Sequence, residues 1–346
     1  MKGKLVTIHR RVNELTLYVR TENGEKRKLV VKDFYPYFYV PDESGEYVSI
    51  FGERLRKIKL VDPSKVRDLR KKFDDPHEAD IPYTRRFLID TGIMSGLEFP
   101  DGKEVVSHRE IKPADVDVEL KCWYIDIEVL MEGSFPDVSR AENPIISWTI
   151  YDGRRYITAV WRNDLKPEYV ENGNWVVLKF KDEYNLLFAL VRLLARGSPD
   201  ILVGWNIYEF DEPYLRHRCS NLNIPLNLDP VEVFDMYLGY KHLYKQPSYA
   251  LKKVAVYEGI LDKEEHVNVD EMYYEDLNAL IEYNKRDVEI MVKLDEKHEI
   301  TKFHQKLREA CGLAHLEDTL HMSVIVDTLL LREAKKLSVV LPTSMG

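Results

Sequence analysis

The stretch Trp123-Tyr124-Ile125-Asp126-Ile127-Glu128-Val129 alternates apolar and acidic residues with the two-residue period of a β-strand. Ile125 and Ile127 therefore face one side, and Asp126 and Glu128 share the other. Two carboxylates about 7 Å apart on one strand face can bind a hard cation; taken alone, the pair equally fits a strand face in water. Outward from this strand, Ile145–Tyr151 and Tyr156–Val160 read as further strands. Glu183–Arg196 has the helical spacing of Leu186, Leu187, Leu190, Leu193 and Leu194. Ile201–Trp205 reads as a short apolar strand before a helix from about 212 to 222, and a long helical region runs from about 275 to 309. Strands mixed with crossover helices predict an α/β layer structure for 116–299.

Two more acidic motifs follow the first. In Val203-Gly204-Trp205-Asn206-Ile207-Tyr208-Glu209-Phe210-Asp211 a strand ends and a loop leads to Asp211 at the start of a helix. That is the carboxyl edge where open α/β sheets place their sites, although Asp211 also fits a helix cap, with Pro213 in the first turn. In Tyr283-Asn284-Lys285-Arg286-Asp287, Tyr283 and Asp287 stand four residues apart on one helix face, an arrangement that taken alone more often marks a solvated helix surface. The joint occurrence, in order, on strand, strand-to-helix loop and helix, favours one site. Phosphate-loop, HExxH, CxxC and dinucleotide-type glycine motifs are absent from the sequence, which leaves nucleotide cofactors without support.

The remainder frames this region. With 346 residues and roughly 150 residues per domain, about two domains are expected: 116–299, and a β-rich module of 1–115 completed by 300–346. In the latter, Leu5–Ile8, Leu15–Tyr18 and Lys28–Val31 read as strands, with a turn at Glu22-Asn23-Gly24-Glu25. A helix over Ser64–Lys72, capped by Ser64, carries Lys65, Arg67, Arg70, Lys71 and Lys72, which fit a solvated face or a nucleic-acid surface. The fold class is thus α/β, or α+β overall. A 32% share of charged residues, against about 25% in typical domains, suits ion-pair networks and a thermophilic source. The net charge of −9 excludes coating a long duplex by charge alone. Three cysteines, 97 and 92 residues apart, fit reduced thiols. Apolar runs fall short of the roughly 20 residues of a membrane span, and the N-terminus lacks a secretory h-region, so a cytoplasmic protein without membrane partners is expected.

On these motifs the sequence resembles the N-terminal and 3′-to-5′ exonuclease domains of archaeal family B DNA polymerases. Phe34-Tyr-Pro-Tyr37, Asp80-Ile-Pro82 with Arg86-Phe-Leu-Ile-Asp90, Val233-Phe-Asp235-Met-Tyr237 and Ser248-Tyr-Ala-Leu251 add to the match. The resemblance implies an RNase H-like domain with a DEDDy site. Asp126, Glu128, Asp211 and Asp287 would be ligands of two Mg2+ or Mn2+ ions, and Tyr283 would orient the attacking water. Four converging carboxylates repel, which divalent cations relieve. Phe210 and Tyr208 fit stacking on unpaired terminal bases and equally fit core or edge packing, and Asn206 would hydrogen-bond backbone or substrate. The expected substrate is a single-stranded or frayed 3′ end of DNA. The family's palm, fingers and thumb are absent from the 346 residues, so no DNA synthesis is expected, and a polymerase module would act in cis or in trans. The short link Asn221–Val233 lacks a strand-switching hairpin found in many relatives. For the template-uracil pocket of archaeal relatives, Pro36 fits and Thr7 replaces an aromatic residue. The alternative is a non-catalytic nucleic-acid-binding or assembly module of a split or truncated polymerase.

Overall fold

The computed structural model describes residues 1–133, 135–264 and 267–343; the last three positions of the sequence, 344–346, lie outside the described residues. The chain divides into two compact units, 120–304 and the pair of segments 1–119 with 305–346. Among the described residues no helix is long and apolar enough to cross a membrane.

The unit 120–304 is built on a seven-stranded sheet. Its spatial order is Glu168–Asn172, Trp175–Phe180, Tyr156–Trp161, Ile145–Tyr151, Cys122–Val129, Ile201–Gly204 and Glu232–Asp235. Cys122–Val129 runs antiparallel to Ile145–Tyr151, with Asp126 opposite Thr149, and parallel to Ile201–Gly204, with Cys122 opposite Ile201. Numbered along the chain, the five strands from Tyr156–Trp161 to Glu232–Asp235 stand in the order 3-2-1-4-5 with the second antiparallel to its neighbours, the RNase H-like sheet. The hairpin 168–180 extends this sheet at one edge; its outer strand Glu168–Asn172 is exposed along its length, while Val176, Leu178 and Phe180 of its inner strand pack on the helix-covered core.

The strand alternation sorts the two faces. Trp123, Ile125 and Ile127 pack with Leu186, Leu187, Leu190 and Leu194 of helix Glu183–Gly197. Gly197 ends that helix against the Trp123 ring, where a β-carbon would collide with the indole. The opposite face is covered by helix Leu277–His298. Its buried stripe runs Leu277, Leu280, Ile281, Asn284, Asp287, Val288 and Met291, so Asn284 and Asp287 occupy positions that helical spacing reserves for core residues. Leu280, Val288, Met291 and Leu294 are fully buried. They contribute about 1.5–3 kcal/mol each, which holds the helix against the sheet around the two polar positions.

The expected helical region of about 275–309 consists of two helices, Leu277–His298 and Ile300–Cys311. Glu299 joins them in the left-handed region at φ 49°, a position without a glycine to announce it. Asp295 secures the break, accepting from the Thr301 amide (2.8 Å) and from the Tyr124 hydroxyl (2.5 Å).

In the other unit, a six-stranded sheet runs Val105–Val106, Lys26–Val31, Glu14–Thr21, Lys2–Arg11, Gly96–Glu98 and Lys112–Pro113. Gly24 turns the Glu22–Glu25 connection at φ 85°. A three-stranded sheet places Arg54–Lys59 between Tyr37–Pro41 and Tyr47–Val48. The expected helix Ser64–Lys72 is shorter: a 3-10 turn, Pro63–Lys65, leads into Val66–Arg70. Its cap is Asp62, whose carboxylate accepts from the Ser64 amide, because an Asp before Pro63 competes better for that amide than the Ser behind it.

Candidate functional site

The three acidic motifs meet on the sheet face covered by helix Leu277–His298. Carboxylate oxygens of Asp126, Glu128 and Asp287 all lie within 4.8 Å of one another. Asp211 arrives from the next strand's loop. It is the first residue of helix Asp211–Asn221, whose N-cap position is Phe210 without a side-chain cap. Its carboxylate does not close its own helix; it accepts from the Ile127 amide at 3.2 Å, midway between Asp126 and Glu128 on the strand.

Burial raises the carboxyl affinity of this group for protons. Asp126 is pushed from 3.8 to about 7 by desolvation, against the pull of Lys252 and the Asn284 hydrogen bond. Glu128 is raised by burial and then by the charges of Asp126 and Asp211. Asp211 is raised by burial and by Asp126. Hard oxygen donors, crowded and desolvated, are the donor set that Mg2+ or Mn2+ takes, and the residues present fit such ions.

Two further residues belong to the site. Lys252, buried on helix Leu251–Tyr257, pairs with Asp287 and lies 4.3 Å from the centroid of the Tyr283 ring. One ammonium thus stands beside the acids and offsets part of their repulsion. Lys252 follows directly on Ser248-Tyr-Ala-Leu251, but no acidic spacing points to it. Asn284 donates to Asp126 at 2.6 Å and accepts from the hydroxyls of Ser147 (2.9 Å) and Thr149 (2.8 Å). Its signal in the sequence is a polar residue at a core position of the stripe.

The loop 205–210 is moulded by Asp235. This fully buried acid takes the amides of Asn206 (3.0 Å) and Tyr208 (3.2 Å) and caps the following helix. Asn206 holds a left-handed conformation, φ 64°. Both aromatic candidates are partly buried against the same core, with different neighbours. Tyr208 gives its hydroxyl to the Val233 carbonyl (2.9 Å) and packs against the core. Phe210 lies between buried Tyr214 and Phe135, each 5.4 Å away by ring centroid, and Phe135 is 74% exposed.

Comparison with known proteins bears on this geometry. Residues 75–232 match the family model described as DNA polymerase family B, exonuclease domain. DNA polymerase 1 of Sulfolobus acidocaldarius is 28% identical over 339 residues, covering 82% of this chain and 37% of that protein. The DNA polymerase of Thermococcus kodakarensis is 28% identical over 340 residues, covering 80% of this chain and 18% of that protein. The chain thus spans little more than a third, or less, of these relatives' length. A family B DNA polymerase from Pyrobaculum calidifontis has the same fold over 99% of this chain and 52% of its own, with a TM-score of 0.80 at 21% identity.

Proposed function

Starting from a chain that carries the exonuclease domain of DNA polymerase family B, we propose that it is the proofreading 3′-to-5′ exonuclease part of such a polymerase. Its substrate is a single-stranded or frayed 3′ end of DNA. The observation that carries this reading is the convergence of Asp126, Glu128 and Asp287 within 4.8 Å, with Asp211 bonded to the strand between the first two.

Asp126, Glu128, Asp211 and Asp287 would hold two Mg2+ or Mn2+ ions. When bound, these ions supply charge stabilisation at the phosphodiester and a water of lowered pKa. Asn284 keeps the Asp126 carboxylate aimed into the site. Tyr283, one helical turn before Asp287, orients the attacking water with its hydroxyl, and Lys252 holds the Asp287 carboxylate and the Tyr283 ring side by side. Water attacks phosphorus, the bond to the departing 3′ oxygen breaks, and a nucleoside 5′-monophosphate leaves. Phe210, extended by exposed Phe135, offers the terminal base a stacking surface. Asn206 hydrogen-bonds backbone or substrate. A polymerase module, in cis or in trans, completes the machine, and the proposed setting is the nucleoid of the cytoplasm.

A time course of 5′-labelled single-stranded DNA with Mg2+ and with chelator tests the reading. The expected result is a ladder shortening from the 3′ end with metal only. DNA that stays full length with Mg2+ and with Mn2+ while still binding the chain would replace this reading with the non-catalytic binding module.

A further inference from the structure

A second group of metal-ligand side chains stands in the unit 1–119 with 305–346, far in sequence from the acidic motifs. Glu53, Asp75 and His77 each present one ligand atom, all within 4.8 Å of one another. Glu53 lies in the turn leading into strand Arg54–Lys59, and Asp75 and His77 lie in the segment after helix Val66–Arg70. The two carboxylates are exposed, whereas the His77 side chain is 1% exposed.

The imidazole is held as metal-binding histidines are held. Its main chain is locked to Tyr39 by two hydrogen bonds, 2.8 and 3.0 Å, and bridges Pro342 on the other side. Nδ1 lies 3.1 Å from the Asp75 carbonyl oxygen, which can only accept, so Nδ1 donates there and Nε2 is the nitrogen left for a further partner. Nε2 faces the Glu53 carboxylate, 3.7 Å away. At this distance the two groups make no hydrogen bond. An ion about 2.1 Å from each atom spans 3.7 Å at an angle of about 125°. The exposed Asp75 carboxylate, within 4.8 Å of both, is the third donor. One imidazole and two carboxylates suit zinc better than magnesium, which prefers all-oxygen shells and keeps its waters.

We propose that Glu53, Asp75 and His77 form a Zn2+ site, separate from the exonuclease site, that clasps the turn before Arg54 to the 75–77 segment. The neighbourhood is braced for such a role: Thr343 donates to the Pro76 carbonyl (2.5 Å), and the Val340 amide donates to the Val48 carbonyl (3.0 Å).

The test uses the full chain carrying Asp126→Asn, which disables the exonuclease metal site, stripped with chelator and titrated with Zn2+, with bound metal measured after dialysis. One equivalent of Zn2+ is expected to remain, to raise the melting temperature, and to resist a hundredfold excess of Mg2+. Adding His77→Gln is expected to weaken binding at least tenfold. Because a buried histidine variant can lose stability, Glu53→Gln, at an exposed position, is the second arm and is expected to weaken binding without lowering the metal-free melting temperature. Failure to retain zinc, or retention unchanged in Glu53→Gln, would overturn the proposal. Co2+ substitution adds a spectroscopic check: visible absorption that vanishes with His77→Gln supports the site, and absorption that persists counts against it.

Discussion

Two carboxylate centres in the unit 120–304 show opposite electrostatics. Glu258 accepts from Tyr240, from the Lys297 ammonium at 2.8 Å and from His298 at 2.7 Å, and these partners hold its carboxyl down at about 2 despite burial. Asp126, Glu128 and Asp211 are raised instead, because burial and mutual repulsion exceed what Lys252 and Asn284 return. A carboxylate surrounded by donors is finished structure. Carboxylates left short of positive charge by the fold are poised for a cation that arrives from solution.

The largest effect separating the two centres concerns cleavage. Asp287→Asn should slow degradation of single-stranded DNA by at least about 100-fold, since a lost ligand removes several kcal/mol of charge stabilisation. Glu258→Gln should stay within about threefold of wild type while melting at lower temperature. An Asp287→Asn variant retaining a tenth of the wild-type rate would erase the functional half of the contrast. Next comes metal linkage: Mn2+ at a hundredfold excess over its dissociation constant should stabilise the wild type by about 2.7 kcal/mol. Glu258→Gln should gain as much, and Asp126→Asn much less, in denaturant titrations with and without chelator. Equal gains in all three proteins would place the bound ion elsewhere.

The smallest effect has opposite signs at the two centres. Asp126 has a folded pKa above its unfolded value, so the stability linked to its protonated form is present at low pH and is lost as pH rises from 3.8 to about 7. Glu258 has a depressed pKa, so its contribution is present above 4.5 and is lost as pH falls toward about 2. In chelator, wild type should therefore lose ground to Asp126→Asn with rising pH, and gain ground on Glu258→Gln over the lower window. Parallel pH profiles for the two variants would show that the centres do not differ as described.

Much of the fold was legible because its signals are local. Alternation in Trp123–Val129 places Asp126 and Glu128 on one face, and the leucine spacing of Glu183–Gly197 places that helix on the other. What stayed hidden depends on tertiary context. The break at Glu299 uses a left-handed residue that is not glycine, stabilised by Asp295 from the preceding turn and Tyr124 from a strand 171 residues earlier. Lys252 enters the site from a short helix whose own sequence, Leu251-Lys-Lys-Val-Ala-Val-Tyr257, marks neither lysine as the buried one. Conversely, Asn284 could be suspected, since a polar residue on an apolar stripe must find partners, but which partners is a matter of strand register.

Asn284 also determines how finely the site is built. Leucines and valines at three- and four-residue spacing pack against a sheet almost as well after a helix slides by one turn, about 5.4 Å, so apolar packing alone is a coarse ruler. An amide that must meet two hydroxyls on one strand and a carboxylate on the next tolerates only tenths of an ångström. The helix is thereby indexed along its axis by polarity, and Tyr283 and Asp287, rigidly attached one residue before and three after, inherit that finer scale.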